Sequence, residues 1–244
     1  MVKILSLLIC LLGVLAASAQ DTTFYNQNKD KVNTLAEADT YYILQLDPGE
    51  IHHATNIGYY RSGARMSEEH LVDTLGKILR DGKYKEYYKN GNLRTEIDYT
   101  RGQFDGQVMT YWSDGDPKRS DIFRAGKLIK GTCYDSLGKS IPHFDYYKLP
   151  QFPGGQDALM TYLQKHINYP KNERKNQIEG EELVQFTIQI DGSITDIHMI
   201  QSATQAFSNE VIRIVKSMPK WEPGEVDGEP AVVSYSLPVH FTLK

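Results

Sequence analysis

The sequence predicts an α+β chain of two unlike parts: an antiparallel β-meander of hairpin repeats, then an α-β-β-α-β domain with a three-stranded antiparallel sheet and two helices. Three observations carry this prediction. Tyr87-Tyr88-Lys89-Asn90-Gly91 returns 24 residues later as Tyr111-Trp112-Ser113-Asp114-Gly115, and Arg101-Gly102-Gln103-Phe104 returns at the same offset as Ala125-Gly126-Lys127-Leu128. Of the 16 Tyr, 12 fall between Tyr41 and Tyr147. From Pro150 onward, helical spacing and longer alternating strands replace the repeat.

The elements follow in order. Lys3, an apolar run from Ile4 to Ala17 and the small-residue end Ala17-Ser18-Ala19 form an export signal over residues 1–19, with cleavage expected after Ala19. Retention of the run would instead leave an inner-membrane anchor. Residues 20–40 are polar and without periodicity, and are expected to be a loosely ordered lead-in. Residues 41–145 form the repeat region. Asn90-Gly91 and Asp114-Gly115 are tight-hairpin signals because both residues tolerate positive φ, and the flanks are rich in Tyr, Phe, Ile, Val and Thr. A period of this size is one supersecondary unit stacked on its neighbours. A single-layer meander has no deep core, so Tyr rings that pack across strands while keeping a hydroxyl wet are its natural cover. The same rings, Tyr87, Tyr88, Tyr111 and Trp112, are also the candidate surface for a sugar or lipid.

The carboxy-terminal domain spans residues 148–244. Gln156 to Ile167 is a helix by the spacing of Leu159, Met160, Leu163 and Ile167. Glu182 to Ile190 alternates with Val184, Phe186, Ile188 and Ile190 on one face, Asp191-Gly192 turns the chain, and Ile194 to Ile200 returns. Ser208 is the expected N-cap of a second helix that stops before Pro219. In the last strand, Ala231 to Leu243, the buried face is Val233, Tyr235, Leu237, Val239, Phe241 and Leu243. Pro238 within it points to a sheet edge, since a residue without an N–H is tolerated chiefly there. An exposed edge strand is the starting point of recognition by strand addition.

Composition excludes several classes. The chain carries 27 basic and 31 acidic residues, a net charge of −4, which argues against non-specific nucleic-acid binding. Loss of Lys3 with the signal leaves 26 basic residues against 31 acidic, hence −5, and loss of Cys10 leaves Cys133 alone, without an internal disulfide. His52-His53 is a neighbouring pair that alternates across a strand and does not chelate one metal, and no catalytic or phosphate-binding motif occurs. No enzyme activity, metal or cofactor is expected.

Two resemblances rest on these residues. The Tyr59 to Lys139 segment resembles MORN-type repeats of the YwqK-like bacterial kind, with Gly106 echoed at Gly131 one residue out of step. Its 11 basic and 8 acidic residues between Gly82 and Lys139 give +3, compatible with membrane contact without requiring it. The second resemblance runs through Phe152-Pro153-Gly154-Gly155-Gln156, Tyr169-Pro170, Gly180, Asp191-Gly192-Ser193-Ile194, Met218 to Gly224 and Leu237-Pro238-Val239-His240-Phe241. These look like a TonB carboxy-terminal domain. The resemblance implies a periplasmic domain whose last strand pairs with a peptide of an outer-membrane TonB-dependent receptor, and it lands on the backbone of Val232, Val233, Ser234, Tyr235, Ser236 and Leu237. Energy-transducing members also have a membrane anchor and a Pro-rich linker, where this sequence shows a cleavable signal and a meander. The expectation is therefore a periplasmic protein that binds a receptor or transporter peptide by β-strand addition. The alternative is an envelope scaffold whose repeats hold membrane or glycan while the TonB-like domain assembles with other envelope proteins.

Overall fold

The computed structural model describes residues 21–27, 29–47, 49 and 52–243. The expected export signal lies outside the described residues. The described chain divides into two compact units, one ending at His143 and the other beginning at Phe144.

The first unit is one antiparallel sheet. Its strands are β1 (Asp21–Tyr25), β2 (Lys31–Val32), β3 (Thr40–Leu46), β4 (His53–Tyr60), β5 (Arg65–Thr74), β6 (Lys77–Tyr87), β7 (Leu93–Thr100), β8 (Gln103–Tyr111), β9 (Pro117–Arg124), β10 (Lys127–Tyr134) and β11 (Ser140–Ile141). Their order is β11-β10-β9-β8-β7-β6-β5-β4-β3-β1-β2, so from β3 to β11 every strand pairs with its neighbour in sequence. The lead-in is more ordered than its polarity suggests. Residues of β1 pair with β3 from Asp21↔Leu44 to Tyr25↔Thr40, because Phe24 and Tyr25 find ring partners in Tyr41 and Tyr42.

Asn90-Gly91 and Asp114-Gly115 do turn the chain, but not as two-residue turns with two positive φ angles. Gly91 N–H donates to Tyr88 O and Tyr88 N–H to Asn92 O, and only Gly91 is left-handed. This is a type I turn closed by a glycine bulge. Trp112 to Asp116, Tyr60 to Ala64 and Asp135 to Lys139 repeat it. The Asn or Asp before the glycine is used for its side chain: Asn90 Oδ1 accepts from Asn92 N–H at 3.0 Å and Asp114 Oδ1 from Asp116 N–H at 3.1 Å. The two-residue turns lie on the opposite rim, at Leu75-Gly76, Arg101-Gly102 and Ala125-Gly126, where both residues have positive φ.

Aromatic rings cover this sheet across strands. Tyr41 and Tyr59 stack at 5.1 Å, and Tyr99, Phe104 and Phe123 form an edge-on row at 5.3 and 5.2 Å. Arg80 lies over Tyr84 and Tyr99 and is bonded to Glu69 at 2.9 Å. Towards the end of the sheet, Arg119 and Asp121 are fully buried and paired at 2.7 Å, and His143 reaches Asp121 at 3.0 Å. A Cβ on Gly131 would stand 2.4 Å from both Asp121 Oδ1 and His143 Nε2, so this close approach, not a repeat signature, fixes the glycine. Cys133 is buried beside them in sequence, a packing residue.

The second unit contains β12 (Tyr147–Lys148), α1 (Gly155–His166), α2 (Lys171–Lys175), β13 (Gly180–Ile188), β14 (Ile194–Gln201), α3 (Gln205–Lys216), β15 (Gly224–Val226), β16 (Glu229–Ala231) and β17 (Val233–Phe241). The main sheet runs β14-β13-β17, with a small second sheet β12-β15-β16. The core joins Leu159 and Leu163 of α1 and Phe207, Val211, Ile214 and Val215 of α3 to Val184, Phe186, Ile188, Leu237, Val239 and Phe241. Those residues keep one parity within each strand, even in β13 and odd in β17, and the register sets them on one face, so both helices pack on that face. The predicted α-β-β-α-β order is present, with α2 and the small sheet added.

Several details differ from the pattern. Met160 is 40% and Ile190 59% exposed: the apolar stripe of α1 runs through Leu159 and Leu163, and β13 ends at Ile188 before the turn. The N-cap of α3 is Thr204, whose hydroxyl accepts from Phe207 N–H at 3.1 Å. Ser208 sits inside the first turn instead, because a buried carboxylate occupies that helix start. Glu182 is fully buried on the inner face of β13 and accepts from Ala203 N–H, Thr204 N–H and Ser208 Oγ.

Candidate functional site

β17 is an edge strand. It pairs with β13 from Gly180↔Phe241 to Ile188↔Val233 without a bulge, and among the described residues no strand lies on its other side. Which backbone groups remain free follows from parity. Gln189 N–H donates to Ser193 O, closing the β13–β14 hairpin, so odd-numbered residues of β13 turn their backbone to β14 and even-numbered ones to β17. The partners of the even residues are Val233, Tyr235, Leu237, Val239 and Phe241. Ser234, Ser236, Pro238 and His240 therefore aim their backbone outward. Pro238, having no N–H to give, sits where β13 asks for none.

Side chains alternate oppositely. Tyr235 lies on the helix side, 4.9 Å from Trp221 and 5.6 Å from Phe186, and is half-buried. Ser236 is on the open face, where its hydroxyl accepts from Gln185 Nε2 at 3.3 Å. Of the six residues expected at the edge, five form the first part of β17. Val232 stands just before it, 48% exposed, in the break between β16 and β17.

The far edge of this sheet is different. β14 shifts register against β13 twice, between Leu183 and Val184 and between Gln185 and Thr187. Asp196 takes a positive φ of 50° there, and its carbonyl meets His198 Nδ1 at 2.9 Å. Bulges of this kind twist an edge away from further pairing.

Phe152 and the Asp191-Gly192 turn, two of the stretches that carry the resemblance, meet at Trp221. Its backbone N–H donates to Gly192 O at 2.9 Å, and its ring meets Phe152 edge-on at 5.6 Å. A Cβ on Gly192 would lie 2.0 Å from Trp221 O, and the residue has φ +80°, so only glycine fits. Asp191 in the same turn bonds Lys220 at 2.7 Å; that bond and two from Ser193 hold its carboxyl well below the usual range.

Tyr87 and Tyr111 close β6 and β8, and Tyr88 and Trp112 open the turns after them; all four are half-buried. The repeat brings successive turns together: Tyr88 OH donates to Tyr111 O at 2.8 Å, and Asn90 and Asn92 both donate to Ser113 O. Lys118 lies over the Trp112 ring at 4.8 Å. Among the described residues no group of three metal-ligating side chains occurs.

The second unit is thus a three-stranded antiparallel sheet with one open edge and two helices packed on one face, and comparison with known proteins shows what it is similar to. Residues 165–243 match the family described as Gram-negative bacterial TonB protein C-terminal. Protein TonB of Helicobacter pylori strain 26695 is 32% identical over 97 residues, covering 38% of this chain and 33% of that protein, and Protein TonB of strain J99 gives the same figures. Two solution NMR structures of the Helicobacter pylori TonB carboxy-terminal domain are 31% and 33% identical, covering 36% and 38% of this chain and 92% and 87% of theirs, with TM-scores of 0.30 and 0.27. On the family match over residues 165–243 and the similarity to Protein TonB, the second unit carries a TonB-type carboxy-terminal domain. The chain spans about a third of the length of the curated relatives it matches. The first unit is consistent with MORN-like repeats. Among the described residues no helix is long and apolar enough to cross a membrane.

The edge was legible from Pro238, but Glu182 and the β14 bulges were not. Glu182 keeps the parity of Val184 and Phe186, and its partners lie 21 to 26 residues away.

Proposed function

We propose that this is an exported, TonB-like protein of the periplasm whose β17 edge takes up a peptide of an outer-membrane TonB-dependent receptor by strand addition. Residues 1–19 act as the export signal, residues 41–145 as a MORN-like module and residues 148–244 as the peptide-binding domain. The observation that supports the reading most is the contrast between the two edges of one sheet: β17 runs without a register shift and, among the described residues, has no strand on its outer flank, whereas β14 is bulged at Asp196. Backbone pairing supplies the affinity in such a mode, and Val232, Val233, Ser234, Tyr235, Ser236 and Leu237 provide the contact. The test is an NMR titration of the isotope-labelled chain with the amino-terminal TonB-box peptide of such a receptor. Amide shifts centred on Val232 to Leu237 are expected. No shift there at millimolar peptide overturns the reading.

A further inference from the structure

We infer that β17 accepts only a short segment in one position: the guest strand pairs with Ser234 and Ser236 and ends opposite Pro238, with apolar side chains toward Tyr235 and small or polar ones on the other face. This rests on the strand-addition reading above and adds its length and side-chain pattern.

The limits come from the backbone. Outward-facing groups are the N–H and C=O of Ser234, the N–H and C=O of Ser236, the C=O alone of Pro238 and, beyond that gap, the N–H and C=O of His240. A guest running past Pro238 would set a carbonyl against a residue with no donor, and a carbonyl removed from water without a partner costs more than one left wet. Upstream, the chain leaves the strand at Val232, and β16 already pairs with β15 through Ala231↔Gly224. The uninterrupted ladder thus runs only over residues 233–238, and a guest reaching His240 must leave one carbonyl unmet at Pro238.

The side-chain pattern comes from what flanks that ladder. On the helix side, the guest's residues come alongside Val233, Tyr235 and Leu237. Val233 and Leu237 are buried, while Tyr235 keeps part of its ring at the edge, where it offers apolar surface next to Trp221 and Phe186. On the opposite face the neighbours are Ser234, Ser236, Thr187 and Gln185, polar and uncharged, up to Pro238 and Leu183 at the end of the ladder. An alternating segment matches both faces; a uniformly apolar one matches only one, and a uniformly charged one neither.

Fluorescence anisotropy with the whole chain separates the possibilities. The probes are labelled peptides of alternating Val and Ser, five or nine residues long between terminal lysines, and a five-residue control of the same composition with its Val residues consecutive. With the native chain the two alternating peptides are expected to bind within about twofold of each other, and the control more weakly. Pro238→Val restores an outward N–H; it should tighten the nine-residue peptide by about fivefold and leave the five-residue peptide unchanged, the effect of one added hydrogen bond. Ser236→Pro removes an outward N–H without touching the β13 ladder, and should weaken both alternating peptides about tenfold while the circular dichroism of the chain is retained. Equal binding of the control, or a nine-residue peptide already several-fold tighter in the native chain and indifferent to Pro238→Val, overturns the inference while leaving strand addition intact. No binding of any peptide at millimolar concentration overturns both.

Discussion

Removing the Glu182 carboxylate should be among the most damaging single changes in the second unit. Glu182 is fully buried and receives Ala203 N–H at 2.7 Å, Thr204 N–H at 3.3 Å and Ser208 Oγ at 2.7 Å. In Glu182→Ala the two N–H groups at the start of α3 lose their acceptor, at about 1–3 kcal/mol for each buried donor left unmet. Ser208 loses less, because Ser202 Oγ remains 2.6 Å away. Ala203 is exposed enough for water to reach its side of the site, so the total expected is about 2–4 kcal/mol. Glu182→Gln keeps one acceptor oxygen and loses the charge facing a helix start, a loss of about 1–2 kcal/mol. The assay is urea unfolding followed by Trp221 fluorescence in a Trp112→Phe background, so that only the second unit reports. An alanine variant within about 0.5 kcal/mol of its parent, or a glutamine variant worse than the alanine one, would refute this reasoning.

The remaining predictions concern charge and turns. Partial burial pushes Glu210 up, but Arg213 and the Asn168 N–H outweigh it and hold the carboxyl below the ordinary carboxylate range. Its folded pKa is depressed, so the stability it contributes is present above the unfolded value of about 4.3 and fades as pH falls through the folded one; Glu210→Gln should flatten urea midpoints measured from about pH 5 to pH 3. Asp121→Asn removes the carboxylate that the buried Arg119 guanidinium meets at 2.7 Å and should cost about 3–5 kcal/mol, read as a fall in the thermal midpoint of the first unit; a change below about 1 kcal/mol would count against a buried pair. Leu75 is fully exposed with φ 58°, so Leu75→Asn should stabilise by about 0.5–1 kcal/mol, since Asn adopts the left-handed region more readily; destabilisation in chemical unfolding would contradict this.

Much of this architecture is readable where the cause is local. Repeating Asn-Gly and Asp-Gly pairs mark the turns, alternation marks β13 and β17, and Pro238 marks the edge, because each acts through its own or adjacent residues. Even there the turn type was missed: Asn90 is used for its side-chain oxygen, and the left-handed pairs fall at Leu75-Gly76 and its echoes, which do not resemble hairpin signals. Features made by distant partners leave no such trace. Glu182 looks like one more surface acid until α3 is brought over it, and β12 finds β15 across Tyr147↔Val226 with only two residues of its own. The start of α3 was misplaced for the same reason, since Ser208 is as good a cap as Thr204 until the carboxylate arrives.

The pairing order of the strands sets the order in which they can form. From β3 to β11 every strand finds its partner next along the chain, so the first unit can zip progressively as the polypeptide emerges, and low sequence separation favours speed. In the second unit, β13 must wait for a mate whose last residue lies 61 positions downstream, at Phe241 against Gly180. Until it arrives, β13 has a bare flank in the middle of the future sheet. A chain shortened before Val233 would retain the meander and both long helices, yet have no way to close that sheet, so the strand proposed to take a guest is also the one that completes the host.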